Sequence, residues 1–355
     1  MSFAYGVIEG FYDQKKSWDW QVRNEYVDFC ARKGFGFFIY APKNDPFLRE
    51  QWRDPWPETE LENLRALSHA FQEKGMDFGV GFTPFEVQAL DYKTKELLRT
   101  KIALINSIKP TMLSILFDDF CNDIPNLAAT QSEIAEFIAS ESNADKFQVV
   151  GTYYSRDPLL SRIYGPKPEQ YWSEMGATLD PKFEIFWTGD HVISMGYDEA
   201  GLARMTELFQ RKPFIWDNYP VNDPAWLQKR LRIYSFTGRP WRLSEWSSGH
   251  AVNPMIQPRL SMIPLATLAD IYLQKDQFNA NESFKSVVHE LCGNELGNII
   301  QDNLLYFTEV GGDNFAPNTI KRLKAEFGKF DNLAQLSYTK EVLAWLDDIS
   351  GGGGK

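Results

Sequence analysis

Asp118 and Asp119 stand side by side at the end of the apolar run 112–117, Met-Leu-Ser-Ile-Leu-Phe. A buried strand there would carry both carboxylates rigidly to one edge of a sheet. Two carboxylates one residue apart repel, so one tends to hold a proton near neutrality while the other stays ionised. An acid beside an anion is the equipment of glycosidic-bond cleavage. Successive strand residues point in different directions, so this pair cannot flank a bond as two separated acids would. It suits substrate-assisted hydrolysis instead. There one acid protonates the leaving oxygen, and the other steadies a 2-acetamido group as it attacks the anomeric carbon. The same dipeptide also fits a metal-binding acid pair or two loop-capping aspartates.

Other apolar runs end in comparable residues: Glu9-Gly10-Phe11-Tyr12, Ala41-Pro42-Lys43-Asn44-Asp45, Thr83-Pro84-Phe85-Glu86, Thr152-Tyr153-Tyr154, Trp187-Thr188-Gly189-Asp190, Trp216-Asp217-Asn218 and Asn253-Pro254. Acids, amides and aromatics gathered at one end of successive strands are what a parallel barrel places around its mouth. Rival chemistries lack their signatures. His69, His191, His250 and His289 are scattered without paired metal spacing, and no Gly-x-Ser-x-Gly elbow or Walker loop occurs. Cys30, Cys121 and Cys292 are too widely spaced for a metal motif or a disulfide framework. The expectation is therefore no metal and no cofactor.

The elements that must position these residues follow from periodicity. Strands are predicted near 3–8, 35–41, 77–82, 112–117, 147–153, 183–188, 213–216 and 250–253. Helical spacing fills the gaps at 18–33, 59–74, 132–139 and 258–273, and Thr59 with Glu62 has the form of a capping box. Strand and helix alternating eight times in about 275 residues predict an α/β chain closed as a (β/α)8 TIM barrel, which typically needs about 250. A doubly wound open sheet would want a glycine-rich turn after the first strand. Gly6-Val7-Ile8-Glu9-Gly10 is not one, and Gly79-Val80-Gly81 lies inside a strand. The domain reading is a catalytic barrel over 1–276, a small helical appendage over 277–350 and a glycine-rich tail over 351–355.

Composition narrows the partners. Aromatics make up 15% of the 355 residues, with 11 Trp, which suits a surface that handles flat apolar faces such as sugar rings. A net charge of −11 argues against nucleic acid and against a polyanionic substrate. The basic stretch from Lys229 to Arg242 is broken by apolar residues and reads as a solvated helix face. No run approaches the ~20 apolar residues of a membrane span. With the amino terminus running straight into a strand, the expectation is a soluble cytoplasmic protein. Its oligomeric state stays open, a homodimer included.

The ordered motifs 6–12 (Gly-Val-Ile-Glu-Gly-Phe-Tyr), Tyr40-Ala41-Pro42-Lys43, Phe117-Asp118-Asp119, Trp187-Thr188-Gly189, Trp216-Asp217-Asn218 with Asn222-Asp223, and Asn253-Pro254-Met255 resemble glycoside hydrolase family 84. That is the family of O-GlcNAcases and related β-N-acetylglucosaminidases, formerly called hyaluronidases. The resemblance runs from about residue 5 to 275. It implies that Asp118 orients the acetamido nitrogen and stabilises the oxazoline intermediate, and that Asp119 is the general acid and later base. By the same resemblance Tyr154 bonds the acetamido group and Trp216 walls the pocket of its methyl. Gly10, Tyr12, Lys43, Asn218, Asp223 and Asn253 fall on substrate-binding positions. The implied activity is a retaining β-N-acetylglucosaminidase acting on a β-GlcNAc-bearing glycoconjugate. A hyaluronidase-type hexosaminidase and a non-catalytic GlcNAc-binding relative are the alternatives. The chain departs from the family pattern at 13–16, at Asn44, at Tyr153 and at Asp190, rim positions that bear on substrate preference. Tyr153 could share the role of Tyr154.

Overall fold

A computed structural model of the chain describes residues 3–13, 17–118, 124–330 and 333–351. By compactness it forms two units, residues 1–218 with 242–253, and residues 219–241 with 254–355.

The first unit contains β1 (Ala4–Glu9), α1 (Trp20–Arg32), β2 (Phe37–Tyr40), α2 (Glu58–Glu73), β3 (Asp77–Phe82), α3 (Tyr92–Ile108), β4 (Met112–Leu116), α4 (Leu127–Glu141) and β5 (Lys146–Val150). It continues through α5 (Pro158–Tyr164), α6 (Tyr171–Thr178), β6 (Phe183–Trp187), α7 (Glu199–Phe209), β7 (Phe214–Asp217), the single turn α8 (Leu243–Trp246) and β8 (Gly249–Val252). Each strand pairs in parallel with the next, and β8 returns to β1, so the eight strands close into the barrel expected of a (β/α)8 TIM fold.

The strand alternation decides what fills the barrel. Ile8, Phe37, Ile39, Met112, Leu116, Val150, Phe186, Phe214, Trp216 and Ala251 belong to one buried cluster. Gly6 makes room for one of them, since a Cβ there would lie 2.4 Å from Cδ2 of Phe37. Intervening residues such as Phe38 and Phe78 face the helices, and Phe38 stacks on Phe71 of α2 at 5.0 Å.

Glu9 takes the outward register at the end of β1 and is wholly buried against α1. Arg23 grips it with Nε at 2.9 Å and Nη2 at 2.7 Å. Burial pushes the Glu9 carboxyl above its usual range, and the Arg23 charge pulls it back. The same guanidinium lies 4.6 Å from the ring of Trp20 and 5.1 Å from that of Tyr40. Arg23→Ala leaves a buried carboxylate without its counter-ion, and the expected loss is about 3–5 kcal/mol of stability. Urea denaturation checks it. A loss below about 1 kcal/mol, the value of a surface pair, would refute the buried-pair argument.

Two expectations about helices change. The helix α2 starts at Glu58 behind Pro57, with no side-chain cap, so Thr59 lies inside the first turn and forms no capping box. The segment from Lys229 to Arg242 is turns and coil rather than a helix face. Its arginines serve packing there: Arg232 lies 4.6 Å from the ring of Tyr219 and Arg239 lies 5.7 Å from that of Phe236.

The second unit holds α9 (Pro258–Gln274), α10 (Ala280–Asp302, kinked at Gly293), α11 (Pro317–Phe327) and α12 (Leu333–Ser350). The expected boundary at 276/277 does not coincide with the compact units, because α9 groups with the later helices. Its start has no cap of its own. Glu341 of α12 supplies one, accepting from the backbone N–H of Arg259 at 3.0 Å and of Leu260 at 2.9 Å. Among the described residues no helix is long and apolar enough to cross a membrane.

Candidate active site

The residues singled out at the strand ends mostly continue the inward register of the barrel. Ile8, Ala41, Leu116, Trp216 and Ala251 belong to the inner cluster, and two residues further along each chain stand Gly10, Lys43, Asp118, Asn218 and Asn253. Period-two alternation thus aims Gly10, Asp118, Asn218 and Asn253 at the axis, and Lys43, three residues past β2, is placed there by its bond to Asp118. Tyr154 joins them by packing half-buried on the same cluster.

Asp118 is buried, 5% exposed, just beyond β4. Its Oδ2 accepts from the Lys43 ammonium. Its Oδ1 is buried with no hydrogen-bond partner among the described residues. A buried carboxylate oxygen of this kind is costly until a donor reaches it. Asp119 and Cys121 lie outside the described residues.

On the far side of the barrel, amides form a fixed chain. Asn218 Oδ1 accepts from the Trp216 indole N–H at 3.1 Å and from Asn253 Nδ2 at 3.0 Å. Asn253 Oδ1 accepts in turn from the Gly10 backbone N–H at 3.2 Å. The Asn218 Nδ2 donates to the Val192 carbonyl at 2.8 Å. Trp216 stands edge-on to Phe186 with ring centroids 5.2 Å apart. Gly10 lies so close that a Cβ would be 2.6 Å from Cζ2 of Trp216. The result is an aromatic wall backed by amides whose orientation is set by their neighbours, a surface suited to a neutral polar ring.

Neighbours in the opposite register go elsewhere. Tyr153 is buried, donates to the Gly165 carbonyl at 2.8 Å and packs edge-on to Tyr171, so it does not share the position of Tyr154. Trp187 packs on Trp172 and on Phe209 of α7, outside the barrel. Asp217 faces His250 at 3.0 Å, both wholly buried. Asp45 accepts from Tyr40 OH and from the Trp56 indole N–H, each at 2.9 Å, and holds the loop that bears Lys43. Asp190 and Glu86 are exposed, the former 3.4 Å from Arg156. Tyr12 is 45% exposed. Asp223 is half-buried and belongs to the second unit, where its carbonyl accepts from Gln228 Nε2 at 2.8 Å. Among the described residues no group of three or more His, Cys, Asp or Glu could hold a metal ion.

One residue of this region carries no motif. Asp157 begins α5 and reaches across to the loop after β6, where the Val192 N–H donates to its Oδ2 at 3.2 Å. Its only sequence signal is Asp157-Pro158, a helix start.

A closed parallel barrel with a buried carboxylate and an amide chain at its strand ends places the first unit among the TIM barrels. A profile of the beta-N-acetylglucosaminidase family matches residues 5–308, and the chain belongs to that family. Protein O-GlcNAcase of Rattus norvegicus is 26% identical over 296 residues, covering 81% of this chain and 31% of the relative. The Mus musculus protein O-GlcNAcase matches to the same extent. The chain thus spans about a third of the length of these relatives. A mutant of the Thermobaculum terrenum O-GlcNAc hydrolase superposes with a TM-score of 0.75 at 25% identity, covering 98% of this chain and 83% of that one.

Proposed function

We propose that this chain is a retaining β-N-acetylglucosaminidase of O-GlcNAcase type, removing terminal β-linked GlcNAc from a glycoconjugate by substrate assistance. The observation that carries the reading is Asp118: one oxygen held by Lys43, the other buried with no donor among the described residues. An acetamido N–H is the missing donor. Once it is bound, the carboxylate draws density toward the acetamido oxygen, which attacks the anomeric carbon as the glycosidic bond breaks. Asp119 gives its proton to the leaving oxygen, and an oxazoline remains. Water, deprotonated by Asp119, then opens the oxazoline from the same face as the departed group. The double displacement retains configuration.

The surroundings fit this sequence. Trp216 and Tyr154 offer the apolar and hydroxyl partners of an acetamido group, and the Asn218–Asn253–Gly10 chain offers amides to sugar hydroxyls. Lys43 holds one oxygen of Asp118 by its ammonium and so fixes the carboxylate in place. A polyanion such as hyaluronan fits poorly with a net charge of −11.

Turnover of nitrophenyl β-N-acetylglucosaminide against the matching β-glucoside tests the proposal. The glucoside lacks the nucleophile, so its kcat/KM should fall by about 10³-fold or more. Comparable rates on the two would sink substrate assistance. Tight binding of GlcNAc without turnover would make the chain a non-catalytic relative.

A further inference from the structure

Asp157 accepts from two directions at once. Its Oδ1 takes the Leu159 N–H at 2.9 Å, the ordinary cap of α5. Its Oδ2 takes the Val192 N–H at 3.2 Å, and His191 Nδ1 lies 3.6 Å away. The opposite end of residue 192, its carbonyl, accepts from Asn218 Nδ2 at 2.8 Å. Residue 192 is therefore fixed by Asp157 at its N–H and bound to Asn218 at its C=O. That second bond, together with the donor-only indole N–H of Trp216, decides which way the Asn218 amide faces. With Nδ2 committed to Val192, Oδ1 must face Trp216 and Asn253, and Asn253 Oδ1 is then left for Gly10.

The two loops are also stitched nearer the barrel. Thr188 N–H donates to the Tyr154 carbonyl at 3.0 Å, and Ser155 Oγ donates to the Gly189 carbonyl at 2.9 Å. Arg156 also lies 3.4 Å from Asp190 across these loops, and Asp157 is the tie that reaches residue 192. Partial burial works against its ionised form, but the Leu159 and Val192 N–H groups and His191 outweigh it and hold the carboxyl below its usual range. It therefore stays an acceptor on both oxygens through neutral pH.

We infer that Asp157 is a positioning residue for sugar recognition: by holding the 192 peptide it sets the orientation of the Asn218 amide and of the Asn253 and Gly10 partners behind it. This inference rests on the reading of Asn218 as a sugar contact.

Asp157→Ser separates the two tasks, because serine caps a helix almost as well but is too short to reach the neighbouring loop. The melting temperature should stay close to that of the parent. KM for nitrophenyl β-N-acetylglucosaminide should rise about tenfold with a smaller change in kcat. In an Asn218→Ala background the same substitution should add almost nothing, since the amide it orients is gone. Equal losses from Asp157→Ser in both backgrounds would overturn the latch while leaving Asn218 at the sugar. An unchanged KM in Asn218→Ala would remove Asn218 from the sugar, and the latch with it. Amide hydrogen exchange at Val192 reads the tie without turnover. Exchange should quicken about tenfold in Asp157→Ser, and an unchanged rate there would also overturn the proposal.

Discussion

Asn in place of Asp118 lowers kcat by about 10²–10³-fold on every β-N-acetylglucosaminide, whatever its leaving group. The substitution is nearly isosteric, so the buried site keeps its volume, but the charge that steadies the oxazoline is gone. Lys43 loses its counter-ion in the same step, since its ammonium donates to Asp118 Oδ2. Formation of the intermediate needs that charge with any aglycone, so nitrophenyl and alkyl glycosides suffer alike. Asp119→Asn should behave differently. General acid catalysis is worth about 10²–10⁴-fold, and its value scales with the leaving group's need for a proton. A nitrophenyl glycoside departs unaided in the first step, whereas an alkyl or peptide-linked one does not. Breakdown of the intermediate slows as well, because the same residue activates water, so a burst should precede the steady state. Parallel kinetics on the two substrates decide the matter. Leaving-group dependence in Asp118→Asn, and its absence in Asp119→Asn, would exchange the two roles.

Gly10→Ala should cost about 10²-fold in kcat/KM through a single methyl group. The added carbon would lie 2.6 Å from Cζ2 of Trp216, closer than carbon atoms approach, and a tight 3.2 Å from Cη2. The indole has little freedom to yield. It is buried, stands edge-on to Phe186, and is tied by its N–H to Asn218. The strain therefore goes either into the wall of the pocket or into the Gly10 backbone, and the latter breaks its bond to Asn253. Both routes displace groups assigned to the sugar. Overpacking should cost only about 1–3 kcal/mol of stability, so the protein stays folded. Trp216→Phe shortens the ring at the clash, and the double variant should recover part of the loss suffered by Gly10→Ala alone. A Gly10→Ala enzyme within about twofold of its parent would show that the wall is not rigid.

The inward positions explain why so much of the site was legible beforehand. A strand alternates its faces every residue, so an apolar run closing in polar residues states which of them will share the core's side. Ile8 leads to Gly10, Leu116 to Asp118, Trp216 to Asn218 and Ala251 to Asn253. The same rule separates Glu9, Trp187 and Asp217, whose partners are Arg23, Phe209 and His250. Tyr153 and Tyr154 were harder to divide, because β5 ends at Val150 and the strand rule lapses before it reaches them.

Local sequence also determined the closed order of eight strands and most helices, since each needs only its own periodicity and one short connection. The sequence did not determine contacts between segments distant in the chain. Asp157 and Val192 are 35 residues apart, and nothing in either loop announces the other. Glu341 caps a helix through the N–H of Arg259, 82 residues earlier. The grouping of α9 with the C-terminal helices is likewise invisible to periodicity, which reports that a face is apolar but not what covers it. The lone Oδ1 of Asp118 belongs to the same class. Two adjacent aspartates foretell an acid beside an anion, but only the folded barrel buries one oxygen of Asp118 with no donor among the described residues while Lys43 takes the other. Periodicity fixes elements and the side each residue faces, because both follow from backbone geometry within a few residues. Which polar atoms are satisfied, and by whom, depends on packing across the whole chain.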